Sequence, residues 1–139
     1  MIRTIIFDLS DVLVTGLTGI EEKLHLLLAV PKDEILPQFR SAAMLDYLLG
    51  QCSEEKYLQT LRHEYGWKLG VEQLKAVIRE HFKQVVPGAE EIVVALARQY
   101  ALVLLSDHGR EWAQYIETEH PFLALFQRRF YSYVKRRLP

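Results

Sequence analysis

Ile5-Ile6-Phe7-Asp8-Leu9-Ser10-Asp11-Val12-Leu13 stands near the start of the chain and decides its fold. The apolar run begins almost at residue 1 and stops on a carboxylate. β-Branched and aromatic residues bounded by polar ones predict a buried strand. An ionised Asp8 inside that strand would lose its hydration without replacement, so it belongs at the strand's C-terminal end. In open α/β sheets ligands bind at that end, which makes Asp8 the first candidate for chemistry.

A second stretch matches it. Ala101-Leu102-Val103-Leu104-Leu105 is a short, wholly apolar strand that ends on Ser106-Asp107-His108-Gly109, with a helix predicted over about 110–119. Between the two strands, Thr15-Gly16-Leu17-Thr18-Gly19 reads as a turn-rich linker, and the residues from Ile20 to Val86 read as helical. Pro31 ends the first of these helices, and the apolar pattern of Ile35, Phe39, Ala42 and Ala43 continues through Leu48 and Leu49 to Gly50. Ser53 is a good N-cap, with Glu54 and Glu55 in the first turn where the helix dipole favours them; that helix stops near Gly66. Val71, Leu74, Val77, Ile78 and Phe82 form another amphipathic stripe. Pro87-Gly88 marks a boundary, a helix face follows at Ile92, Val93, Leu96 and Ala97, and Phe130-Tyr131-Ser132-Tyr133-Val134 is expected as a third strand. Strands alternating with helices predict an α/β, Rossmann-like parallel sheet core in three layers. Residues 1–15 and 87–139 would form that core, and residues 16–86 would be a helical insertion.

The bulk properties set bounds. A chain of 139 residues fits one domain, or a core with an insertion. Seventeen basic residues against 18 acidic ones give a net charge of −1, which suggests no polyanion-binding surface and no nucleic-acid partner. The basic cluster Arg128, Arg129, Lys135, Arg136 and Arg137 reads as a solvated end. A single cysteine, Cys52, forms no internal disulfide, no secretion signal is apparent, and no apolar run approaches membrane-spanning length. A cytoplasmic chain without a membrane partner is therefore expected.

Two apolar strands side by side would bring Asp8 and Ser106 to one mouth. Ser106 precedes a helix whose first amides are unpaired, and such a terminus favours anions, phosphate especially. A carboxylate beside a phosphate site calls for a cation between them. Mg²⁺ suits that place, because it accepts a few carboxylate oxygens and substrate phosphate while keeping some waters. Asp8 would then attack phosphorus as a covalent nucleophile.

At these residues the chain resembles the haloacid dehalogenase-like (HAD) hydrolases. Phe7-Asp8-Leu9-Ser10-Asp11-Val12-Leu13 is similar to their first motif and Leu104-Leu105-Ser106-Asp107 to their second. The helical insertion, with Leu49-Gly50-Gln51 and Ser53-Glu54-Glu55, resembles their small α-helical cap. The resemblance implies Asp8 as nucleophile and Mg²⁺ ligand, the Ser10 carbonyl as a second ligand, and Ser106 with the Asp107 amide as the phosphate-binding groups. The family's phosphatases commonly carry Asp two residues after the nucleophile, as general acid and then base. Here that catalytic position is Ser10, whose hydroxyl has no useful pKa for the work. The family's third motif, a lysine, and its fourth, an acidic pair, have no clear counterpart. Lys135 lies near the third in a poorly matching setting, so the chain reads as truncated before both. That would leave the first strand as an open apolar edge and favour a homodimer by strand pairing or swapping.

Three functions follow from this reading. The first is a Mg²⁺-dependent phosphatase of small phosphorylated metabolites, acting through an aspartyl-phosphate on Asp8. The second is an impaired or inactive remnant that serves as a binding module, and the third is a dehalogenase-type hydrolase in which Asp8 attacks carbon. Outside the motifs, His108 reads as a surface or substrate-adjacent loop residue, and His25, His63, His81 and His120 as structural or exposed. Trp112 reads as packing, and Arg40 as part of a solvated helix face.

Overall fold

A computed structural model of the chain describes residues 1–134, so the expectations that fall on Lys135, Arg136 and Arg137 lie outside the described residues. The strand β1 spans Thr4–Phe7. Five helices make up the inserted segment that follows: α1 (Glu21–Leu28), α2 (Lys32–Phe39), α3 (Ala42–Leu48), α4 (Glu54–Tyr65) and α5 (Val71–Phe82). Then come α6 (Ala89–Ala97), β2 (Ala101–Ser106), α7 (Arg110–Glu119), a short 3-10 turn at Pro121–Leu125, and β3 (Arg128–Tyr131). No helix among the described residues is long and apolar enough to cross a membrane.

Local chemistry sets these bounds. The Ser53 side chain accepts from Lys56 N at 3.1 Å and caps α4, which ends on Gly66 in the left-handed region at φ 67°. In α1 the exit comes before Pro31: Ala29 turns left-handed at φ 53°, and Val30 N donates to the His25 carbonyl. The third strand lies earlier than its apolar residues suggest. Only Phe130 and Tyr131 of the expected stretch are in β3, preceded by Arg128 and Arg129, and Ser132–Val134 coils into a 3-10 turn.

The sheet is parallel, in the order β1-β2-β3, with Ile5 opposite Leu102, Phe7 opposite Leu104 and Leu105 opposite Phe130. Its two faces differ. Leu102 and Leu104 are buried on the face where Phe7 meets Phe126 edge-on at 5.7 Å. Right-handed crossovers running in one direction along the sheet place α6 and α7 together on that face. Ile6, Leu105 and Phe130 stand on the other, exposed at 65%, 46% and 40%. Of the three layers expected, the described residues thus build the sheet and one helical layer, and β1 pairs only with β2 at the sheet's edge.

The inserted helices are bonded to the core rather than hinged over it. Tyr47 of α3 lies against Gly109, where a Cβ would stand 2.0 Å from its ring, so only glycine admits that contact. Tyr47 stacks on Tyr57 and meets Trp112 of α7 edge-on. The Trp112 indole N–H donates to Glu54 at 2.7 Å, and the Ser132 hydroxyl donates to the Leu48 carbonyl at 2.6 Å.

Candidate active site

Beyond Phe7 the chain leaves the sheet through one tight turn. Leu13 N and Val14 N both donate to the Leu9 carbonyl, and Asp11 takes a left-handed conformation at φ 61°. Asp tolerates that conformation because its short polar side chain bonds locally, and here Asp11 Oδ1 accepts from Gly16 N at 2.9 Å. A Cβ on Gly16 would lie 2.9 Å from that of Ser10, so this glycine lets the loop close against Ser10. Val14 bridges to Val85, and Val86 N donates to the Leu13 carbonyl, so the chain enters and leaves the inserted helices side by side. The loop that follows β1 is thereby held at both ends.

Asp8 follows β1 and Ser106 closes β2, so both stand at the C-terminal end of the parallel sheet. They line an open cleft of about 510 Å³ with Ser10 and Asp107, over an apolar floor that includes Ile6 and Leu105. Asp8 Oδ1 accepts from Leu9 N at 2.7 Å, and its other oxygen has no protein partner among the described residues. Ser106 is buried at the foot of the cleft, whereas Asp8 and Asp107 are exposed. The helix α7 begins at Arg110, after Gly109, so Ser106 and Asp107 precede its first turn rather than sit in it.

Ser10 has a partner that its sequence position did not reveal. Its hydroxyl lies 2.8 Å from His108 Nε2. His108 is 3% exposed, packed between Phe82 and Trp112, and so is neither a surface residue nor open to solvent. Burial pushes its imidazolium down to about 4, against a smaller upward pull from Asp8. The ring is neutral at pH 7, and Nδ1 has no protein partner. The signal available was position alone: a histidine two residues past the buried end of β2. The remaining histidines divide as read, with His81 and His120 buried against the carbonyls of Thr18 and Phe82.

This imidazole makes stability depend on pH. A histidine depressed in the fold binds its proton more weakly there than in the unfolded chain. Its contribution is therefore complete above the unfolded value of about 6.5 and is lost as pH falls towards about 4. The expected loss is about 3 kcal/mol between pH 7 and pH 4. Guanidinium unfolding across that range should show it, and His108→Gln, which cannot titrate, should flatten the profile.

The charges of the cleft fit a cation. Asp8 and Asp107 line one cleft, and neither has a cationic partner among the described residues. No group of three His, Cys, Asp or Glu side chains converges among the described residues either. This donor set suits an ion that takes one or two carboxylates and completes its shell with water and substrate oxygens, as Mg²⁺ does, and does not suit an all-protein cage.

No family model matches the chain, and no curated protein matches it. Solved structures do. A HAD-family enzyme of Bacteroides thetaiotaomicron in complex with magnesium and inorganic phosphate superposes with a TM-score of 0.73 at 16% identity, over 98% of this chain and 71% of that one. A predicted HAD-like hydrolase of Porphyromonas gingivalis gives 0.71 at 18% identity, over 98% and 69%. The L-2-haloacid dehalogenase of Xanthobacter autotrophicus, with chloropropionic acid covalently bound, gives 0.64 at 15% identity, over 98% and 59%. The chain therefore has the HAD-like fold with its inserted helical cap.

Proposed function

We propose that this HAD-like chain is a phosphomonoester hydrolase that uses Asp8 as nucleophile and Mg²⁺ as cofactor, with a small phosphorylated metabolite as substrate. One observation carries the reading. Asp8 stands at the end of β1 with one oxygen pinned by Leu9 N and the other open to a cleft it shares with Ser106 and Asp107. Pinning one oxygen orients the second without removing its charge. The Ser106 hydroxyl and the Asp107 amide would hold the phosphoryl oxygens, and the cap that covers residues 16–86 would select the rest of the substrate. The open edge of β1 would admit a second copy of the chain.

In the first step the free Asp8 oxygen bonds to phosphorus, and the ester P–O bond breaks with its electron pair on the leaving oxygen. In the second, a water oxygen attacks the same phosphorus, the bond to Asp8 breaks, and the carboxylate and free phosphate are regenerated. A magnesium ion held by Asp8 and the Ser10 carbonyl would supply the positive charge that screens the phosphate from the carboxylates. Ser10 is no general acid for the leaving oxygen, because a hydroxyl has no useful pKa for that work. The proton comes instead from water in the open cleft, which favours leaving groups that are stable as anions.

The Ser10–His108 pair also supports a second reading, dehalogenase-type attack of Asp8 on carbon. A departing halide needs no proton, so the missing acid costs that reaction nothing. The metal separates the two. Hydrolysis of an aryl phosphate should appear with Mg²⁺ and vanish in EDTA, whereas release of halide from a 2-haloacid should be indifferent to EDTA. Folded protein that does neither would be a binding remnant.

A further inference from the structure

One face of the sheet is covered by α6 and α7, and the other is bare. Side chains alternate along a strand, and the Arg129–Glu117 ion pair with α7 fixes how β3 alternates. Arg129 turns to the covered face, Arg128 and Phe130 to the bare one. With Ile6 of β1 and Val103 and Leu105 of β2, Phe130 forms an apolar patch across all three strands. Parallel sheets are covered on both faces in folded proteins, so a bare one marks an interaction surface. The open edge of β1 is a separate feature, four residues long, that offers backbone bonds and little apolar area.

The charges at the two ends of this face select its occupant. Asp8 and Asp107 continue the alternation past Ile6 and Leu105 and stand at the C-terminal end. Arg128, opposite Val103 in the ladder, lies towards the N-terminal end. Neither Asp107 nor Arg128 makes an ion pair among the described residues. A face that is acidic at one end and basic at the other complements a copy of itself turned end for end. We propose that the bare face packs on the same face of a second copy, about a two-fold axis that sets the strands antiparallel across the interface. Leu105 and Phe130 then meet their counterparts near the axis, and Arg128 of each copy reaches Asp107 of the other. Every contact is made twice, as the symmetry requires. Packed sheets stand about 10 Å apart, a gap that an arginine and an aspartate span together. The second copy also roofs the apolar floor of the cleft at Ile6 and Leu105, and its guanidinium supplies a cation that the described residues of one copy do not. Asp107 gives its carboxylate to this pair and only its amide to phosphate, so the two roles do not compete.

Four apolar side chains and one ion pair on each side make a small interface beside the about 800 Å² per partner of a standard one, so a reversible dimer is expected. Sedimentation of the whole chain from about 1 µM to 1 mM should show its mass rise from monomer to dimer. Leu105→Glu sets two carboxylates against each other at the axis and should leave a monomer throughout. Arg128→Asp and Asp107→Arg should each weaken association about 10-fold or more, since each reversal acts twice. Both reversals in one chain restore opposite charges across the interface and should bring most of the association back. Circular dichroism confirms that the variants fold, and the charge exchange decides alone if Leu105→Glu does not. A monomer at every concentration overturns the proposal. So does a double reversal no better than the single ones, or a dimer that none of these changes moves, as one paired at the β1 edge would be. Sedimentation needs no turnover, so a monomer leaves the Asp8 chemistry standing and an inactive dimer leaves this interface standing.

Discussion

Asp8→Asn is expected to lower aryl phosphate hydrolysis by about 10⁴-fold or more while leaving the fold intact. The amide that replaces the carboxylate has no charge and cannot form the acyl phosphate, so both steps are lost together. Its carbonyl oxygen still accepts from Leu9 N, which keeps the loop in place. Asp8 is exposed, and a surface substitution of this kind changes stability by about 0.5 kcal/mol or less. Initial rates beside unfolding midpoints separate loss of chemistry from loss of structure. Mass spectrometry of acid-quenched wild-type protein should find phosphate on Asp8 and none on the variant. A variant that keeps its rate would remove Asp8 from the mechanism.

What the sequence disclosed about this site followed from where apolar runs stop. β1 and β2 are dense in β-branched and leucine residues; β1 runs out onto Asp8 and β2 closes on Ser106, so the sequence alone places both at one mouth. The cap at Ser53 and the stop at Gly66 made α4 legible, because they act on their own neighbours, and the apolar stripe of Val71, Leu74, Ile78 and Phe82 made α5 so. The failures came where distant residues decide. β3 begins on Arg128 and Arg129 at the sheet's other edge, where charge is tolerated, so its apolar signal pointed too late in the chain. Ser132 leaves the strand because its side chain bonds the Leu48 carbonyl and the His108 amide, groups that no local pattern connects to it. His108 looked like a polar loop residue, and it is the cap's Phe82, with Trp112 of the core, that turns it into a buried partner of Ser10.

Glu54 shows the same limit, and it carries the second large effect. In the sequence it is a first-turn acid that favours the start of α4. In the fold it is 1% exposed and accepts from both Arg79 nitrogens at 2.6 Å and from the Trp112 indole at 2.7 Å. One carboxylate thus joins α4 and α5 of the cap to α7 of the core. Arg79→Ala is expected to destabilise the protein by about 3 to 5 kcal/mol, because it leaves that carboxylate buried without its cation. At this chain length the melting temperature should fall by about 10 to 20 °C. High salt should neither reproduce nor relieve the loss, since a buried pair is screened far less than a surface one. Removing both charges, as Glu54→Leu with Arg79→Met, should cost much less than Arg79→Ala alone, because the desolvation of the carboxylate disappears with it. A single variant no more costly than the double one would mean that the carboxylate finds water or a proton when Arg79 is gone, and that the cap is held to the core by the packing of Tyr47, Tyr57 and Trp112 and by the other bonds across that junction.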